Sequence, residues 1–146
     1  MLKGIPKIIS PELLKVLAEM GHSDTIVLAD GNFPAESVGK NSIVIRADGH
    51  GVPELLRAIL TLFPLDTYVK KPVTLMEVMS GDNDKTPIWD EYERIIASFD
   101  KRGGDLITRI DRFKFYEEAS DAYAIVATGE SALYANIMLK KGVVTE

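Results

Sequence analysis

His22 and Asp30 are the residues whose spacing first points to proton chemistry. His22 follows Gly21, and Asp30 opens the segment Asp30-Gly31-Asn32-Phe33-Pro34. Seven residues separate them, and five of these, Thr25-Ile26-Val27-Leu28-Ala29, read as a short buried strand. An imidazole titrates near neutral pH and a carboxylate accepts hydrogen bonds. Brought to the same edge of a sheet, where strand ends gather ligands, the two are expected to begin a polar pocket. Each also has an ordinary structural role. A histidine just past a helix satisfies its last carbonyls, and an aspartate before glycine makes a turn.

Three further groups carry polar chemistry at useful spacing. Arg112 and Tyr116 stand four apart in Arg112-Phe113-Lys114-Phe115-Tyr116-Glu117, so a helix puts both on one face, where they can flank a polyol. Tyr134 and Asn136 alternate across Ala135, and an extended backbone would point both to one side, a phenol beside an amide. Asp66, after Pro64-Leu65, reads as an ordinary loop acid. Arg46 and Asp48 read as a salt bridge in a turn, and His50, between Gly49 and Gly51, as an exposed side chain. Asp82-Asn83-Asp84 lacks the later Gly and Glu of a calcium loop and reads as a turn.

Composition narrows the chemistry. The formal charge of -5, with no basic run longer than two residues, argues against tracking a nucleic-acid backbone. Without cysteine there can be no disulfide, Cys-ligated zinc or thiol nucleophile. Dinucleotide, Walker, nucleophile-elbow and His-Glu-x-x-His motifs are missing. The expected chemistry needs proton transfer and hydrogen bonding, with no cofactor and no metal. No apolar run reaches the roughly 20 residues needed to span a bilayer, and the N-terminus lacks a long apolar leader, so the expected setting is cytoplasmic.

These residues need elements to hold them. Ser10-Pro11-Glu12 starts a helix whose Leu13, Leu14, Leu17 and Met20 recur at helical spacing up to Gly21. Strands are expected over Thr25–Ala29, Ser42–Ile45, Val73–Met79, Leu106–Ile110, Tyr123–Ala127 and Asn136–Leu139. Helices are expected from Val52 to Pro64, from Pro87 to about Phe99, and over Arg112–Ala122, with a turn-rich stretch from Asp30 to Asn41. Strands alternating with helices across 146 residues predict one layered α/β domain, 1–146, with a mostly parallel central sheet.

Taken together, several segments resemble the fucose mutarotase and ribose pyranase family, on its fucose side. They include Ser10-Pro11-Glu12-Leu13-Leu14, Met20-Gly21-His22, Ala29-Asp30-Gly31-Asn32-Phe33-Pro34 and Ile45-Arg46-Ala47-Asp48-Gly49. The match continues through Pro64-Leu65-Asp66-Thr67-Tyr68, Arg112-Phe113 with Phe115-Tyr116-Glu117, Ala127-Thr128-Gly129-Glu130, Tyr134-Ala135-Asn136 and Leu139-Lys140-Lys141-Gly142. It spans almost the whole chain in order. The resemblance implies that His22 is the acid/base residue and that Asp30, Asp66, Arg112, Tyr116, Tyr134 and Asn136 contact a monosaccharide, L-fucose foremost. It also implies a homo-oligomer, decamers among the possible sizes, with sites near subunit contacts. The reaction would be exchange of α and β anomers by ring opening and closing, with Tyr116 or Tyr134 assisting and Asp30 orienting His22 or holding a hydroxyl. Two other readings stand beside it: a non-catalytic sugar-binding or transport-associated protein, and a pyran–furan isomerase acting on ribose.

Overall fold

Each long helix begins on a start signal written in the sequence. In the computed structural model, which describes residues 1–82 and 85–146, helix α1 (Pro11–Glu19) is capped by Ser10, whose hydroxyl accepts from Leu13 N at 3.1 Å. Helix α3 (Val52–Leu62) carries Pro53 in its first turn, and Glu54 reaches back to Gly51 N at 3.0 Å, half of a capping box. Pro87 opens α4 (Pro87–Phe99), and Asp111 caps α5 (Arg112–Ser120) by accepting from Lys114 N at 3.0 Å. The turn-rich stretch after Asp30 holds one more short helix, α2 (Ala35–Val38), too short to show a periodic pattern. The turn expected at Asp82-Asn83-Asp84 falls largely outside the described residues.

The strands are β1 (Thr25–Ala29), β2 (Ile43–Ala47), β3 (Val73–Met76), β4 (Ile107–Ile110), β5 (Ala124–Thr128) and β6 (Ile137–Lys140). They form one sheet in the order β2-β5-β1-β6-β3-β4. Three pairings are parallel, as expected, but β6 runs antiparallel between β1 and β3. The cause is chain length. Residues 129–136 are too few for a crossover, which takes a dozen or more residues, so the chain must turn back on itself. β3 stops at Met76, short of the expected Met79, and Leu106 belongs to a 3-10 turn over Gly103–Leu106 rather than to β4.

Two cores sandwich the sheet. On one face α1, α3 and α4 bring Leu13, Leu55, Ile59, Tyr92 and Ile96 onto Ile26, Leu28, Val126 and Ile137. On the other, α2 and α5 bring Ala35, Phe115 and Ala119 onto Val27, Ala29, Ile125 and Met138. β1 therefore alternates Ile26 and Leu28 to one side with Val27 and Ala29 to the other, all solvent-free, as a strand covered on both faces must be. Because β1 is rigid and central, whatever lies at its two ends is held at a fixed separation.

Candidate active site

At the C-terminal end of β1 the backbone N–H of Asp30 donates to Asn136 Oδ1 at 2.7 Å, and Asp30 Oδ1 accepts from Asn32 N at 3.0 Å. The Asp30 residue is 9% exposed. Burial pushes its carboxyl above the usual value, the backbone N–H groups of Asn32, Phe33 and Ala135 pull it back, and the Glu130 charge adds to the rise. Asp30 is thus a carboxyl held at the wall of a cavity with a raised affinity for a proton. Gly31 N donates to Glu130 O at 2.8 Å, which ties this loop to the one leaving β5.

Asn136 and Tyr134 reach the same cavity by a route the sequence does not show. The expected extended backbone is absent. Tyr134 has φ of 54°, in the left-handed region, and β6 begins only at Ile137. A turn, not strand alternation, aims both side chains inward. α4 grips this turn from behind: Trp89 Nε1 donates to Tyr134 O at 2.8 Å, and the buried Tyr92 hydroxyl donates to Ala135 O at 2.6 Å. Burial raises the Tyr92 phenol far above its ordinary value, so it stays a donor. In front, the Tyr134 hydroxyl donates to Asp82 Oδ2 at 2.6 Å and accepts from Met79 N at 3.2 Å.

The first turn of α5 completes the cavity. Arg112 and Tyr116 face it together, as their four-residue spacing predicts, and the Tyr116 ring packs edge-on against Phe33 with centroids 5.4 Å apart. Arg112 Nε is buried and has no hydrogen-bond partner among the described residues. A buried guanidinium N–H without an acceptor is costly, and a ligand oxygen would relieve it. The cavity is open, has a volume of about 230 Å³, and is lined by Asp30, Asn32, Arg112, Tyr116, Tyr134 and Asn136 with apolar Phe33, Met76, Met79 and Leu133 beside them. That mixture suits a small polyol carrying hydroxyls on one side and C–H groups on another.

His22 and Asp66 are not there. They sit together at the other end of β1, where His22 Nε2 and Asp66 Oδ1 lie 2.9 Å apart. The expectation that His22 and Asp30 share one sheet edge is therefore wrong within a single chain. His22 precedes β1 and Asp30 follows it, and its five residues span roughly 17 Å at 3.3 Å each. Asp66 is 1% exposed, whereas the His22 side chain is 40% exposed and free to meet something outside the chain. Burial works against the Asp66 charge, but hydrogen bonds from Tyr68 N at 3.0 Å and from His22 hold its carboxyl below the usual value. Arg102 fixes the same loop, donating from both Nη atoms to Asp66 O at 3.3 Å.

Strain marks both places. Ser23, next to His22, has φ of 68°, and with Tyr134 it makes up the non-glycine residues of positive φ among the described residues. Such backbone costs of order 1–3 kcal/mol and persists where surrounding contacts enforce it. Arg46 pairs with Asp48 and Glu36 on the exposed surface, and His50 pairs with Glu54, so both keep the structural roles expected of them. A larger cavity of about 580 Å³ lies over the sheet from Thr25 and Lys140 across to Thr74 and Thr108. It holds none of the expected site residues, and the smaller cavity, with the Asp30 carboxyl and the unpartnered Arg112 Nε, has the chemistry. Among the described residues no cluster of His, Asp and Glu could hold a metal ion, and no helix is long and apolar enough to cross a membrane.

Asp82 and Met79, which line the cavity, and Trp89 and Tyr92, which hold the turn behind it, are not among the site residues that the sequence suggests. The one tryptophan of the chain, three residues from a core tyrosine on an amphipathic helix, was the available signal.

The RbsD / FucU transport protein family matches residues 3–144. The fucose mutarotase of Homo sapiens is 53% identical, with 97% of this chain and 94% of that protein covered. The crystal structure of FucU from Bifidobacterium longum superposes with a TM-score of 0.97 at 65% identity, over 98% of this chain and 100% of that one. The structure of the fucose mutarotase from Streptococcus pneumoniae in complex with L-fucose gives a TM-score of 0.91 at 53% identity, over 99% and 100%. With its mixed six-stranded sheet and this near full-length match, the chain belongs to the RbsD/FucU family.

Proposed function

We infer that this chain is an L-fucose mutarotase, an isomerase that exchanges the α and β anomers of the sugar, and that it works as a homo-oligomer with residues 1–146 as one unit. One observation carries the assembly: the acid/base candidate and the sugar-sized cavity stand at opposite ends of one rigid strand. Neither end is complete alone. His22 of the partner subunit, entering the cavity beside Asp30, would supply the missing proton carrier, and a decamer is one assembly that repeats such a contact. The relatives named fucose mutarotase, and the related structure holding L-fucose, support the choice of sugar. The reading includes a cytoplasmic setting, in keeping with a chain that has no cysteine.

The chemistry follows from the groups present. Ring opening removes a proton from the anomeric hydroxyl, delivers one to the ring oxygen, and breaks the bond between C1 and that oxygen. Rotation about C1–C2 turns the aldehyde over, and closure reverses both transfers. The partner's His22 carries one proton, held in orientation by the buried Asp66 carboxylate beneath it. Asp30, with its raised proton affinity, takes a hydroxyl of the sugar. Arg112 and Asn136 fix the remaining oxygens. The hydroxyl of Tyr134 is engaged with Asp82, so Tyr116 is the phenol that meets substrate. Positioned acid/base groups give accelerations of about 10²–10⁴-fold, enough for a reaction that already runs unaided in water.

Saturation-transfer NMR of α/β exchange in L-fucose tests this reading, with D-ribose as the control sugar. Wild type should exceed the buffer rate for fucose, and His22→Ala and Asp30→Ala should each abolish the excess. Mixing the two inactive variants as dissociated subunits and reassembling them should restore about a quarter of the activity, since one site in four then pairs an intact His22 with an intact Asp30. Saturable fucose binding without acceleration would favour the non-catalytic reading, and acceleration confined to ribose would favour the pyranase.

A further inference from the structure

Tyr68 is 77% exposed, yet it is not loosely placed. Its backbone N–H donates to Asp66 Oδ1 at 3.0 Å, the oxygen that also bonds His22 Nε2 at 2.9 Å. One buried carboxylate oxygen thus fixes both the histidine and the start of the tyrosine. Their rings touch, with centroids 4.9 Å apart and planes tilted by 55°. His22, Asp66 and Tyr68 are tied together by these contacts, so wherever His22 is presented, the Tyr68 ring is presented beside it.

The cavity that His22 would enter sets Asp30, Arg112 and Asn136 beside apolar Phe33, Met76, Met79 and Leu133, and because it opens outward, a pyranose seated in it would keep its outer face uncovered. A sugar face is not uniformly polar. In L-fucose the C4 hydroxyl is axial, so the C–H bonds at C3, C4 and C5 share one face as a continuous apolar patch, with the C6 methyl at its edge. In the C4 epimer, 6-deoxy-L-glucose, an equatorial hydroxyl removes that continuity. An aromatic ring is the natural cover for such a patch, since it offers a broad apolar face at small entropic cost.

We propose that Tyr68 is a substrate-contacting residue: entering with His22, the partner's Tyr68 closes the cavity over the C–H face of the pyranose and selects sugars with an axial C4 hydroxyl. This rests on the two-subunit reading of the site. The ring, not the phenol hydroxyl, makes the contact.

The test compares wild type, Tyr68→Ala and Tyr68→Phe on L-fucose and 6-deoxy-L-glucose by saturation-transfer NMR, with oligomer mass followed by light scattering. Tyr68→Ala should raise KM for L-fucose about five- to tenfold, the scale of one lost aromatic contact, and move KM for the epimer less than about twofold. Discrimination between the two sugars narrows accordingly. Tyr68→Phe should behave as wild type, and all three proteins should keep one oligomer mass. Equal effects on both sugars, no effect on either, a Phe variant as impaired as Ala, or loss of assembly in Tyr68→Ala would each overturn the proposal. The His22→Ala and Asp30→Ala mixture separates the two levels. Restored activity with unchanged sugar discrimination in Tyr68→Ala sinks the Tyr68 assignment alone, whereas an inactive mixture sinks the shared site and this assignment with it.

Discussion

Asn136 accepts the backbone N–H of Asp30 at 2.7 Å and so locks the start of β6 to the end of β1. Because β6 runs antiparallel to β1, its far end, four residues on at Lys140, lies beside the start of β1 and accepts from Asp66 N at 3.0 Å. A single strand thus sets the distance between the cavity and the His22–Asp66 pair.

At the histidine end, Asp66→Asn keeps the shape of the buried side chain but removes the charge that orients His22. Anomer exchange in L-fucose should fall in kcat by at least about tenfold, within the range that positioned proton transfer contributes. KM should stay near wild type, because Asp66 is buried beneath His22. Full activity in the Asn variant would remove Asp66 from the mechanism.

The same carboxylate makes stability depend on pH in a defined direction. Its folded value lies below the unfolded one, near 3.9. The stability it contributes is in place above about pH 4 and is lost as pH falls through the lower folded value. Against Asp66→Asn as a non-titrating reference, wild type should lose its advantage in denaturant midpoint as pH falls below about 4.

Asp30 runs the other way. Burial raises its value in the folded state, so the stability linked to its protonated form is lost as pH rises through that value. Asp30→Asn should therefore unfold at a higher denaturant midpoint than wild type at pH 7, with the gap closing as pH falls through that raised value toward about 4. It should also be inactive on fucose. A variant that is inactive and less stable at pH 7 would contradict the burial argument.

For Arg112 the sensitive change is to lysine, which keeps the charge and loses the planar fork and its Nε donor. With that buried N–H awaiting an acceptor, the expected effect is on binding: KM for L-fucose up by about tenfold, kcat changed far less. Calorimetric titration of fucose should show the same loss.

Tyr92→Phe tests the clamp behind the cavity. Removing one hydroxyl leaves the Ala135 carbonyl without that donor and should cost about 1–3 kcal/mol, read as a lower denaturant midpoint. The turn that aims Tyr134 and Asn136 then loosens, and kcat/KM should drop about tenfold. Fucose at saturating concentration should restore part of the lost stability.

The elements were legible from the chain because their causes are local. Ser10-Pro11 starts a helix through a hydroxyl cap and a ring-fixed φ, and the apolar run Thr25–Ala29 is a covered strand by composition alone. Arg112 and Tyr116 meet because helical geometry guarantees it at a spacing of four. Residue types and motif order also named the groups that line the cavity. What tertiary structure alone decided is where those groups stand. The exception is His22 and Asp30, whose separation the extended strand between them already dictates. The aim of Tyr134 depends on a left-handed turn held by Trp89 and Tyr92, more than forty residues away in sequence. The reversal of β6, set by a return loop too short to cross over, brings Asn136 to Asp30 and Lys140 to Asp66. Local free energy writes the elements into the sequence, whereas long-range pairings satisfied together place the chemistry.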